Sequence, residues 1–177
     1  MALIAKVTLL IGILLLVIGL FQRNSNFLDV NKIIKEHVSI FKGNIVQGLS
    51  IFLAPAIISL SISLCQTITD DIINSVVVIL SIFGALFFAE LSILCSLPQT
   101  GKNERYIKLL RETFNSVLFE ILVSTIVLII AVVYMFFNGH TNIIIERVVS
   151  FLIYYLTIEL ILNELVLIKR IKALFMN

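Results

Sequence analysis

Tryptophan is absent from this chain, and proline, cysteine and histidine occur only twice each. Charge is also scarce, at 14% of residues where a soluble domain carries about 25%. Each shortage removes a class of protein. Neither a Cys/His metal spacing nor HExxH, Walker A or GxSxG is present, so no motif points to an enzyme, a cofactor or a metal. No Lys/Arg-rich run alternates with aromatics, which removes nucleic acid as a direct partner. Cys65 and Cys95 lie in apolar runs and read as small buried hydrophobes. In the topology below they stand roughly 30 Å apart, too far for a disulfide. His37 and His140 fall on opposite sides of the same topology and cannot share a site.

What is abundant is apolar surface. The chain is 60% hydrophobic, with a mean hydropathy of +1.13. A core of this size cannot hide that much, so the bilayer is the expected solvent. Five runs are long enough to cross it as helices: about 2–21, 45–65, 73–97, 117–137 and 148–168. Strands are disfavoured, because the runs lack the alternation of a transmembrane barrel. The fold class is therefore all-α: a polytopic transmembrane helix bundle forming a single domain over 1–177.

Basic residues orient the bundle. Eleven of the thirteen lie after the first run, between the third and fourth, or after the fifth. The positive-inside rule makes that side cytoplasmic, with the N-terminus outside and the C-terminus inside a bacterial inner membrane. The first run could pass for a signal peptide, but it lacks a small-x-small cleavage site and its C-terminal flank is the more basic one. It reads as a retained span. Its Ala5, Gly12 and Gly19 recur every seven residues as a stripe for close helix packing.

Two cytoplasmic stretches have helical amphipathicity, about 27–42 and 103–116. In the first, Phe27, Val30, Ile34, Val38 and Phe41 mark the apolar face. The second carries Tyr106, Leu109 or Leu110 and Phe114, with Asn103 as a candidate cap, and leads directly into the fourth run. Either docks a partner or lipid headgroups through its basic face, or simply positions the next span. Amphipathic helix, span, short loop, span: the order occurs twice, with FFAELSIL around Glu90 and YLTIELIL around Glu159 in matching places. Both units run in the same sense, as in a parallel repeat.

Polar residues within the spans are the candidate site. A charge at mid-bilayer costs roughly 2.5–3.5 kcal/mol, so each such residue needs a reason. Glu90 lies roughly 10 Å and Glu159 roughly 13–14 Å from the cytoplasmic ends of their spans, with Glu120 and Glu164 shallower. Tyr155, Glu159 and Asn163 share one helical stripe. Ser81, Ala85, Ala89, Ser92 and Ser96 form a small-residue face beside Glu90. The expectation is an intramembrane polar cluster of Glu90, Glu159, Asn163 and Tyr155, with Glu120 and Glu164 at its edge. Its carboxylates line a cation or proton path, or else they are structural, protonated or paired with Lys169, Arg170 or Lys108. Pro55 removes a backbone hydrogen bond and is expected to kink the second span, with Ser59, Ser61 and Ser63 satisfying the freed carbonyls.

Two functions follow as expectations for a non-enzymatic protein without a cofactor. One is an oligomeric, channel-like or membrane-perturbing component that also receives a signal. The other is an accessory subunit of a membrane transport or immunity complex, inactive alone. In layout (size, several spans, short basic cytoplasmic elements) the whole chain resembles the small membrane components of bacterial anti-phage systems, such as those of Kiwa. No motif carries the likeness and no residue role is transferred. It implies a cytoplasmic protein partner and a role triggered by infection.

Overall fold

Heptad spacing organises the helices. The computed structural model describes residues 30–40, 45–98, 100–137 and 143–176, together with Thr8, Ile11, Gly12, Leu14, Leu15 and Ile18. Among the described residues five helices have defined bounds: α1 (Val30–Ile40), α2 (Ile45–Cys65), α3 (Asp70–Ser96), α4 (Glu104–Phe137) and α5 (Ile143–Phe175). Four of them, α2 to α5, are long and apolar enough to cross a membrane. The protein is all-helical, as its apolar runs require.

On α3 the most buried apolar residues are Ile73, Leu80, Phe87 and Leu94, and on α5 they are Ile153, Leu160, Leu167 and Leu174. Both series repeat every seven residues. On α4 two such seams interleave, Leu110–Val117–Ser124–Ala131 and Tyr106–Thr113–Glu120–Val127–Tyr134, all of them buried. A repeat of 3.5 residues keeps one stripe of a helix facing its neighbour along the whole length. Accordingly α4 and α5 pack together at the centre, α3 flanks α4, α2 flanks α5, and α1 lies on α4. Within lipid, association gains little from the hydrophobic effect, so close packing and polar contacts hold such seams.

At 34 and 33 residues, α4 and α5 are each roughly 50 Å long, against a hydrocarbon layer of about 30 Å. At the basic end of the pair Arg170 of α5 meets Glu112 of α4 at 3.4 Å. The 103–116 stretch is thus the first part of α4. Its start is capped by Asn103, whose Oδ1 accepts a hydrogen bond from the Tyr106 N–H at 2.8 Å. Gly101, at φ +78°, makes the preceding turn, a conformation that side chains with a Cβ resist. At the opposite end the α2–α3 connection is tied down by the Ile68 N–H, which donates to Ser150 Oγ at 2.9 Å.

Several expectations are corrected. The inward face of α1 is Val30, Ile33 and His37, while Val38 is exposed. Cys65 and Cys95 are exposed rather than buried, each close to a helix end. Ser81, Ala85, Ala89, Ser92 and Ser96 are exposed too. At 3.6 residues per turn that face points away from the stripe containing Glu90, so among the described residues it packs no helix beside that carboxylate. Helix α2 continues through Pro55, as a proline kink within one span allows. Ser61 and Ser63 bond the carbonyls of Ile57 and Leu60, not the one at Ile51 that the proline frees. Pro55 instead shares a buried stripe with Ile51, Ser59 and Ser63, small enough to bring α2 close to α5. Most of the first expected span, including Ala5 and Gly19, lies outside the described residues. Gly12 is helical, and a Cβ there would have open space around it among the described residues.

Candidate functional site

Three elements bring polar groups to one point near the basic end of the bundle. Glu120 stands on a core seam of α4, between Thr113 and Val127, and is completely buried. Glu159 and Asn163 lie one turn apart on α5, both buried, and Asn163 Nδ2 donates to Glu159 Oε1 at 2.5 Å. From α1, His37 reaches the same point and stacks on Phe119 at 4.0 Å, the rings within 14° of parallel. One ligand-type atom each of His37, Glu120 and Glu159 lies within 4.8 Å of the other two.

The carboxylates are poorly satisfied. Among the described residues, neither oxygen of Glu120 has a hydrogen-bond partner, nor does Glu159 Oε2 or Asn163 Oδ1. The Asn163 amide also lies near Glu120, but forms no hydrogen bond of good geometry with it. Glu90 and Glu164 stand within electrostatic reach of Glu120, so four carboxylates share one neighbourhood. The opposing charge is Arg170, already turned towards Glu112. A cavity of about 10 Å³ adjoins the cluster, lined by His37, Ser116, Glu120, Asn163, Val166, Leu167 and Arg170. Such a space holds about one water-sized body.

Burial, helped by the nearby Arg170 charge, pushes the His37 imidazole down to about 4. It is therefore neutral at physiological pH. A second contact fastens its helix, since Asn115 Nδ2 of α4 donates to Glu36 Oε2.

The structure brings Glu120, Glu159 and Asn163 together, with Glu90 and Glu164 beside them. Tyr155 is half-buried, stacks on Phe151 and stands within electrostatic reach of Glu159. Two features escape the sequence. Glu120 is central rather than peripheral, a place its seven-residue series from Tyr106 to Tyr134 could have revealed. His37 belongs to the site, and the 3–4 spacing of Val30, Ile33 and His37 was the available signal. No protein-family model, curated protein or solved structure matches this chain. Fold and site together define a helical protein with four membrane-compatible spans and an acidic cluster buried at its basic end.

Proposed function

We propose that the chain is a non-enzymatic integral membrane protein that handles cations through this cluster, as an oligomeric, channel-like or signal-receiving component of a bacterial inner membrane. One observation carries the reading. Glu120, fully buried with both oxygens unpartnered among the described residues, stands beside Glu159. A buried carboxylate is tolerated when a proton or cation neutralises it, and two together concentrate that demand. The basic end lies on the cytoplasmic side in this reading, so the cation arrives from the cytoplasm and α1, lying over the cluster, governs access. The layout resemblance adds infection as the trigger and a soluble cytoplasmic protein as the partner.

The test is membrane potential in cells expressing the chain, with wild type beside Glu159→Gln and Glu120→Gln at matched levels. Depolarisation by wild type that both substitutions abolish is the expected result. Depolarisation untouched by either substitution removes the cluster from the path.

An accessory role is the second reading, favoured by the exposed small-residue face of α3 at Ser81, Ala85 and Ala89. Such a face suits a closely packed helix. Crosslinking through Ala85→Cys in native membranes distinguishes a second copy of this chain from a larger complex.

A further inference from the structure

His37, Glu120 and Glu159 come from α1, α4 and α5, three elements that nothing but their side chains joins at this point. Their ligand atoms form a triangle no wider than 4.8 Å. Oxygen and nitrogen ligands lie about 2.0–2.2 Å from a small divalent ion, so two ligands on one ion stand roughly 3–4 Å apart. The triangle is of that scale and needs little closure. The second, independent observation is Glu120 itself. Its carboxylate is wholly buried, aimed at the other two groups, and without a hydrogen-bond partner among the described residues. The third is the adjoining cavity of about 10 Å³, with room for a single ion or water.

We infer that His37, Glu120 and Glu159 bind one divalent transition-metal ion of the zinc or manganese type. The donor set selects the class. Imidazole with carboxylates suits zinc, manganese and ferrous iron, whereas magnesium and calcium favour all-oxygen sites, and no thiolate is present to attract copper(I). Two ligand carboxylates match the charge of the ion. The guanidinium of Arg170, which also lines the adjoining cavity, is shared with Glu112. The bound ion fastens α1 to two spans at once and acts as a latch between the cytoplasmic helix and the bundle. The inference goes beyond the proposed cation-handling role, and binding is measured without any flux.

The full chain, purified in detergent and stripped of metal, is titrated with Zn²⁺ alone by calorimetry. One ion per chain is expected, with affinity reduced about tenfold or more in His37→Gln and Glu120→Gln. The exposed α4 residue gives the control, Glu104→Gln, which binds as wild type does. Excess Mg²⁺ does not compete. Absence of zinc binding, or equal binding by wild type and His37→Gln, overturns the site, and displacement by Mg²⁺ overturns the metal class. X-ray absorption on zinc-loaded wild type needs no substitution and covers variants that fail to fold. Outer-shell scattering from one imidazole is expected, and an oxygen-only shell overturns the assignment. Zinc binding without any effect of the chain on membrane potential keeps the site and removes the channel reading. Depolarisation that depends on Glu159 without zinc binding does the reverse.

Discussion

At the scale of single residues, Glu120 is the anomaly that organises the site. Its seam on α4 runs Tyr106, Thr113, Glu120, Val127, Tyr134, and every member is buried. Packing alone would place leucine or valine there. Replacing buried ionisable groups by well-packed hydrophobes is often neutral or stabilising, because the desolvation cost disappears. In metal-free detergent solution, Glu120→Leu should therefore be more stable than wild type by about 1–4 kcal/mol. Added Zn²⁺ should raise the unfolding midpoint of wild type and leave that of Glu120→Leu unchanged, since only the native site binds. Denaturant unfolding followed by circular dichroism measures both. A metal-free Glu120→Leu less stable than wild type would mean that the carboxylate makes a structural contact, and the case for a stored ligand would fall.

At the scale of elements, α1 is where sequence and structure part. Hydropathy alone marks α2 to α5, because a run of twenty apolar residues has few alternatives to crossing a bilayer. The Asn103 cap and the fusion of 103–116 with the fourth run were also legible, since both follow from local hydrogen bonding and periodicity. The rotation of α1 was not. Phe27, Val30, Ile34, Val38 and Phe41 make one acceptable apolar face, and Val30, Ile33 and His37 make another. A short helix with two such faces is turned by its partner, here α4, which offers Phe119 to the imidazole and Asn115 to Glu36. Likewise, spacing within one segment could suggest the Glu159–Asn163 pair, yet no spacing within a segment reveals a triangle drawn from three. Ring stacking of this kind is worth about 0.5–1.5 kcal/mol. Phe119→Leu should accordingly speed hydrogen–deuterium exchange across 30–40 by about 2–10-fold while sparing the centre of α4. Unchanged exchange in α1 would show that the stack does not hold it.

At the scale of the whole molecule, polarity is concentrated at one end. The carboxylate cluster, α1, the charged ends of α4 and α5 and most of the basic residues all lie there, whereas the opposite end offers Asp70, Asp71, Glu146 and Arg147 near short connections. Which compartment that end faces decides where a cation comes from, and the two cysteines report it without new labels. Both are exposed. Cys65 closes α2 beside the Gln66–Thr69 connection, while Cys95 lies 25 residues into α3, roughly 38 Å along that helix from Asp70. They therefore mark opposite faces of the membrane. Lys102, Arg105, Lys108 and Arg111 follow Cys95 closely, so in the proposed orientation Cys95 belongs to the cytoplasmic side. A membrane-impermeant maleimide added to intact cells should label Cys95→Ser, which retains Cys65. It should label Cys65→Ser only after the membrane is permeabilised. The reverse pattern would turn the basic end outward, and the cluster under α1 would then draw its ion from the medium rather than from the cytoplasmic pool.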